Sequence, residues 1–406
     1  MNILLINHYA GSTEMGMEFR PYYMAHEWTK LGHKVDIIAG DYSHLRKVNP
    51  TVKHDFQTEN IENIKYHWIK TGTYEGNGVR RAITMFRFVG KLWWNASKIV
   101  KEIEPDVVIA SSTYPIDTFA AQRIAKKAKA KLIHEVHDMW PATLIELGGM
   151  SKYNPFVIVM QIGENSAYKN SDAVVSLLPN TREYMIKHGM AKEKFFCIPN
   201  GIVLDDWKNP SDLPETHKKT FEKYKDKKIF IVGYFGGHAL SNALDMLLDT
   251  ASKMSDNKNI LFVLVGDGVE KKRLQKKAEG LENIIFLPPV AKKSIPALLR
   301  EFNCVYIGAR NSSLYRFGTS MNKVYDAMMG KKPILYAVND PENYVKKYHC
   351  GISVEPENID ALKNGIEQMM HFTTDQRKEM GNNGYEAVIN NFDYRVLAKK
   401  FLRVME

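Results

Sequence analysis

Two α/β domains in series, each a parallel sheet wound by helices on both faces, are what this sequence of 406 residues predicts. Three observations carry the expectation. Near the start, the apolar run Ile3–Ile6 passes through a loop with Gly11 and Gly16 into a helical stretch from Phe19 to Leu31, then into a second apolar run, Val35–Ala39. The same order of strand, glycine turn, helix and strand restarts at Ile229. A composition of 44% hydrophobic and 25% charged residues over this length supports two cores of ordinary size. The expected limits are residues 1–205 and 206–385, two Rossmann-like domains facing across a cleft, followed by a helix over residues 386–406 that crosses back.

In the first domain the loop GMEFR lacks the G-x-G-x-x-G dinucleotide fingerprint, so Gly16 and Arg20 are candidates for lining the cleft instead. Val79–Lys101 has the sharpest helical periodicity in the chain. At about 100° per residue, Arg80, Arg87, Lys91 and Lys98 fall on one side, with Ala82, Phe86, Val89, Trp93, Ala96 and Val100 opposite. The apolar side is expected to cover the sheet. The cationic side also holds Trp94 and has the composition of a surface that rests on anionic lipid headgroups. Strands Asp106–Ala110 and Lys131–Val136 follow, the second ending in EVHDMWP. Ligands gather at the carboxyl ends of parallel strands, which makes His137 a candidate donor to a hydroxyl or a leaving-group charge and Asp138 its positioning group. Trp140 offers a flat face, and His134, on the other side of the strand, reads as structural. Ala173–Leu177 and Phe195–Ile198 are further strands, and residues 205–228 form a polar, lysine-rich connector.

In the second domain the first turn reads GGHALSNA and offers Gly237 and Asn242. The next strand ends at Gly266-Asp267-Gly268, the one after it at Pro289 and Val290, and VYIGA leads to Arg310. The stretch that the rest serves is Tyr315–Leu335, YRFGTSMNKVYDAMMGKKPIL. Gly318 permits a tight backbone, Thr319 or Ser320 can cap, and Asn322–Met329 has helical spacing up to Lys331-Lys332-Pro333. A helix start presents backbone N–H groups to an anion, here flanked by Arg316 and Lys323. Asp326, one turn on, carries a carboxylate suited to a ribose diol.

Three cysteines, Cys197, Cys304 and Cys350, without C-x-x-C spacing argue against disulfides and zinc, and for a reduced cytosolic chain. The run MNILLINHY reads as a strand rather than a signal peptide, and no stretch has the length of a membrane span. A net charge of +10 attracts polyanions. With no nucleic-acid-binding motif, lipid surfaces and phosphates rank ahead of nucleic acid.

The segment Arg316–Asp326 resembles the nucleotide-phosphate loop of retaining, family-four GT-B glycosyltransferases, in the branch of bacterial surface-polysaccharide enzymes with loops like RFG-x-S-x-N-K. The resemblance runs through most of the chain and implies a nucleotide-sugar donor with the diphosphate on Ser320, Asn322 and Lys323 and the ribose on Asp326. It further implies base contact at Pro289 and Val290, and His137 at the reacting sugar. Two departures stand out. Counting back from Asp326, Gly318 occupies the place of the first of the family's two glutamates, and the turn GGHALSNA lacks the arginine and lysine usual there, so Arg310, Arg316 and Lys323 must bring the positive charge. No D-x-D pair lies near a strand end, which points to transfer with no metal and no cofactor. The implied reaction is same-face transfer from a UDP-sugar to a lipid-linked saccharide at the inner face of the cytoplasmic membrane. A non-hydrolysing sugar-nucleotide epimerase and a degenerate nucleotide-sugar-binding protein are the alternatives.

Overall fold

The computed structural model describes residues 1–16, 19–76, 78–225 and 227–406. They form two units, Met1–Asn200 with Tyr394–Glu406, and Gly201–Asp393. The limits at Asn200 and Asp393 replace the expected 205 and 385.

The first unit is built on eight strands: β1 (Asn2–Ile6), β2 (Lys34–Gly40), β3 (Gln57–Ile61), β4 (Ile64–Ile69), β5 (Val107–Ala110), β6 (Lys131–Val136), β7 (Ala173–Ser176) and β8 (Phe195–Cys197). Their order is β3-β4-β2-β1-β5-β6-β7-β8, with β3 antiparallel to β4 and the other pairs parallel. The central strands are buried on both faces, as their near-continuous apolar runs require. The β3–β4 hairpin lies in the segment where the sequence signal is weakest, since β3, QTENI, is mostly solvated.

Helices of this unit include α1 (Phe19–Lys30), α2 (Val79–Trp94), α3 (Ala96–Ile103), α4 (Asp117–Ala128), α5 (Ala142–Glu146) and α6 (Pro155–Asn170). The expected single helix over Val79–Lys101 is broken at Asn95, whose Nδ2 donates back to the Lys91 carbonyl at 2.8 Å. Its buried side also differs from the expected one. Met85, Phe88, Leu92, Ala96, Ile99 and Ile103 recur every three or four positions and pack inward, whereas Phe86 and Trp93 are 46% and 39% exposed. The cationic side is partly pinned: Arg87 donates to the Thr71 carbonyl at 2.6 Å, and Lys91 pairs with Asp55 at 2.7 Å. The terminal helix Tyr394–Met405 packs on α1, where the Trp28 indole donates to the Ala398 carbonyl at 3.2 Å and meets the Phe401 ring. Residue 386 lies inside the preceding helix, Thr374–Asn391.

The second unit has six strands, β9 (Phe230–Phe235), β10 (Ile260–Val265), β11 (Ile284–Leu287), β12 (Cys304–Gly308), β13 (Ile334–Ala337) and β14 (Gly351–Ser353), all paired in parallel in the order β11-β10-β9-β12-β13-β14. Alternate residues serve two cores. Ile231, Phe235, Val263 and Ile307 face one, Val232, Tyr234, Phe262 and Tyr306 the other. The lysine-rich connector is more than a solvated linker, because Leu213 and Phe221 are buried in the first of these cores.

Candidate functional site

Each unit gathers polar side chains at the carboxyl ends of its parallel strands, where loops leave the sheet. In the second unit the focus is Lys323, second residue of the helix Asn322–Met329. Its ammonium reaches the turn after β9, lying 2.7 Å from Asn242 Oδ1, 3.2 Å from the Tyr234 hydroxyl and 4.7 Å from that ring's centre. Asn242 in turn donates to the Gly237 carbonyl at 2.9 Å. Gly236 has φ +128°, and a Cβ there would stand 3.2 Å from the Lys323 chain, so glycine both permits the turn and makes room for the lysine. The turn lacking arginine and lysine therefore receives its charge from across the sheet. Burial of the ammonium lowers its pKa from 10.5 to about 8.

The segment before that helix was expected to cap it through Thr319 or Ser320. Instead Met321 is the N-cap residue and makes no side-chain cap, while the Thr319 hydroxyl turns to Asp340 and the Ser320 hydroxyl lies 3.2 Å from the Tyr325 hydroxyl. The first turn holds no acidic residue, and Asn322 at its start is exposed. Such a helix start attracts an anion. Gly318, buried and at φ +86°, makes the bend that feeds it. One turn into the helix, burial pushes the Asp326 carboxyl up to about 6, with the Lys292 ammonium opposing and Asp206 reinforcing the rise.

The other expected residues of this unit spread around the same strand ends. Arg310 follows β12 with its amide on the Ser241 carbonyl, but its exposed side chain faces Glu357, with Nε 3.6 Å from the carboxylate. Arg316 is exposed, donates to the Ser313 carbonyl at 2.7 Å and stacks on Phe317. Asp267 shapes its own turn, accepting from the Gly268 amide with its carboxylate and from the His238 amide with its carbonyl. Pro289 is exposed and Val290 packs on the core, in a loop tied down by a His217 contact to the Pro288 carbonyl at 2.9 Å. His238 is fully buried, and burial lowers its pKa to about 4.

In the first unit, His137 follows β6 and its Nε2 lies 2.9 Å from the Ser111 hydroxyl, at the end of β5, and 3.1 Å from Glu135. Ser111 donates to the same carboxylate at 2.6 Å. With a carboxylate beside it and the serine proton already committed, Nε2 is the protonated nitrogen and Nδ1 the acceptor. Burial pushes Glu135 up, but the Arg20 charge and the hydrogen bonds from Arg20, His137 and Ser111 outweigh it and hold the carboxyl well below its ordinary range.

Two expectations are corrected here. Asp138 does not position His137; its carboxylate accepts from the Met139 amide and the Thr143 hydroxyl, holding the start of α5. Arg20 is buried and spends its guanidinium on Glu135 and on the Ile198 and Pro199 carbonyls, so it supports the histidine rather than a donor. Gly16 has φ +104° and abuts Lys47; Met17 and Glu18 of the same loop lie outside the described residues. Sequence reasoning missed Glu135 and Ser111. The signal was a lone carboxylate inside the apolar strand LIHEV, which burial allows only with a partner.

The sequence matches Glycosyltransferase Family 4 over residues 15–206 and Glycosyl transferases group 1 over residues 212–387. It is 24% identical, over 254 residues, to a protein described as a colanic acid biosynthesis glycosyl transferase, WcaI, of Escherichia coli strain K12. That match spans 61% of this chain and 62% of the length of the relative. The fold is similar to that of sucrose-phosphate synthase from Thermosynechococcus elongatus, with a TM-score of 0.71, 15% identity, and coverage of 99% of this chain and 97% of that one. It is likewise similar to Anabaena HepE in complex with UDP and glucose, with a TM-score of 0.66, 15% identity, and coverage of 100% and 99%. With the two glycosyltransferase matches following one another along nearly the whole sequence, the chain is a glycosyltransferase of the family 4 type, built on the GT-B fold.

Proposed function

We propose that the chain transfers a hexosyl or N-acetylhexosaminyl group from a UDP-sugar to a lipid-linked saccharide during surface-polysaccharide synthesis, with retention at the anomeric carbon and without a metal ion. The observation that carries the donor half is the Lys323 ammonium held over the glycine turn beside the uncapped start of helix Asn322–Met329. A diphosphate lying there meets a cation and free-ended helix amides together, which stabilises the charge that develops as the glycosidic bond breaks. Asp326 takes the ribose hydroxyls. In the first unit, His137 Nδ1 accepts from a sugar hydroxyl while Glu135, Ser111 and Arg20 hold the ring.

The UDP complex of a similar fold and the colanic acid relative support the choice of donor and pathway. Among the described residues no helix is long and apolar enough to cross a membrane. A lipid-linked acceptor then calls for a peripheral enzyme on the inner membrane face, and α2 supplies a surface for it: Val79, Ile83, Phe86 and Trp94 are exposed beside Arg80. A thermal-shift panel of UDP-, GDP- and dTDP-sugars tests the donor. A UDP-sugar is expected to stabilise most, with or without EDTA, and a requirement for magnesium or a preference for a guanine nucleotide overturns that part of the reading.

A further inference from the structure

Beneath the loop that opens helix Asn322–Met329 lies a closed triangle of buried oxygens. The Thr319 hydroxyl is 2.7 Å and the Tyr336 hydroxyl 2.9 Å from the same Asp340 oxygen, Oδ2, and the two hydroxyls are 3.0 Å apart. The second carboxylate oxygen, Oδ1, accepts from the Glu342 amide at 3.0 Å. Exposure is only 6% for Thr319, 2% for Tyr336 and 9% for Asp340. Burial, reinforced by the neighbouring Asp340 charge, pushes the Tyr336 phenol well above its ordinary value, so it stays protonated as a donor.

A carboxylate costs several kcal/mol to bury, and a chain that needed only packing here would place an apolar residue at 340. What the carboxylate adds is direction. Asp340 follows β13, Tyr336 lies within it, and Thr319 is the residue after the Gly318 bend, so the triangle ties the bend to the sheet. Thr319 is thereby withdrawn from capping, and the following helix starts without a side-chain cap. Torsional freedom at Gly318 would otherwise let those amides wander, since glycine imposes no φ of its own.

We propose that Asp340 is a positioning residue for the donor: through Thr319 and Tyr336 it fixes residues 318–321 so that the helix start meets the diphosphate in one geometry. This rests on the reading that a nucleoside diphosphate binds at that helix start. The chemistry asked of Asp340 is orientation alone, with no contact to substrate.

The test is calorimetric titration of the intact protein with whichever of UDP, GDP and dTDP stabilises it best, and with the matching nucleoside. Asp340→Asn, Thr319→Val and Tyr336→Phe are compared with Thr319→Ser and with Lys323→Ala, after melting curves show each folded. Asp340→Asn and Thr319→Val are expected to weaken the diphosphate about 10-fold. The matching nucleoside is expected to bind within about 2-fold, and Thr319→Ser to restore the diphosphate. Should Asp340→Asn misfold, Tyr336→Phe and Thr319→Val carry the comparison. Equal losses for nucleoside and diphosphate, or none for either, overturn the positioning role. If Lys323→Ala weakens the diphosphate while the Asp340 and Thr319 variants do not, only the present inference falls; if Lys323→Ala is also silent, the donor reading falls with it.

Discussion

Removing the Lys323 charge should make the ligand-free protein more stable and the enzyme worse at holding its donor. The lowering of this ammonium from 10.5 to about 8 corresponds to about 3 kcal/mol against the charged form. Part of that figure is returned because the side chain retains some solvent contact, and part because Lys323→Met gives up the 2.7 Å bond to Asn242. A net gain of about 1 kcal/mol remains, worth about 2–4 °C in Tm for a domain of this size. Against this, loss of a charge-assisted contact to a diphosphate costs about 2 kcal/mol, roughly 30-fold in affinity. The pH dependence has a defined sign. Below pH 8 the folded lysine is charged and the penalty is in force; between about 8 and 10.5 the unfolded chain holds a proton that the folded one has released, so stability contributed by this site rises with pH. Nucleotide affinity runs the other way, falling as pH rises through about 8, because the anion needs the proton on Lys323. Scanning calorimetry of apo wild type and Lys323→Met from pH 7 to 10, with UDP titrations at each end, reads both. A Lys323→Met protein that melts lower yet binds UDP unchanged would refute the electrostatic reasoning.

Asp326 should show the mirror behaviour. Its carboxyl titrates near 6 in the fold against 3.8 normally, so the stability tied to its protonated form is present below 3.8 and lost as pH rises through about 6. Asp326→Asn is expected to raise Tm at pH 7.5 but not at pH 4 and to weaken uridine binding; identical melting shifts at both pH values contradict this. Arg20→Leu strands Glu135 without its strongest partner and should cost about 3–5 kcal/mol, most of it recovered in Arg20→Leu/Glu135→Leu, as urea unfolding would show. Glu135 is held below 4.5, so its contribution is present above that pH and is lost as pH falls through 4.5 towards the folded value. For the proposed membrane contact, Ile83→Asp/Phe86→Asp should release the protein from anionic vesicles in sedimentation, whereas a charge change at Lys91, already paired with Asp55, should matter less; the reverse ranking would return the contact to the cationic side.

How far the sequence carried the reading depended on whether a residue's partner lay within one element. Period and punctuation located β1, α1, β2, β9 and the Asn322–Met329 helix, because alternation, glycine and proline act locally. The inward face of α2 was misplaced because Phe86 and Trp93 are as apolar as the residues that pack, and only the sheet and helix packed against α2 decide between them. Asp138 was chosen because it adjoins His137, and Glu135 was not considered. In extended backbone, though, residues two apart share a face, and Glu135 near the end of β6 and His137 just beyond it meet at that spacing where Asp138 does not. The capping role given to Thr319 failed for a related reason: local chemistry made it a good cap, and a carboxylate 21 residues on outcompeted the helix amides.

Lys323 and Asp326 stand three apart on one helix, a spacing at which opposite charges ordinarily pair across a turn. Among the described residues they do not. Lys323 reaches back to Asn242 and Tyr234, while the charges that bear on Asp326 are those of Lys292 and Asp206. Had the pair been there for stability, mutual attraction would have pushed the lysine pKa up and the aspartate down. Both move towards neutrality instead, which is the signature of charges held apart in a partly desolvated place at a cost to the empty protein. A ligand with negative charge at one end and hydroxyls at the other relieves both: phosphate restores the ammonium, and a diol donates to the carboxylate. A nucleoside diphosphate has that arrangement, phosphate and ribose in series, over about the one helical turn that separates the two residues. On the proposed donor reading, two charges not paired with each other fit the helix start to a nucleotide as much as its amides do, and a simple anion such as inorganic phosphate answers only half of it.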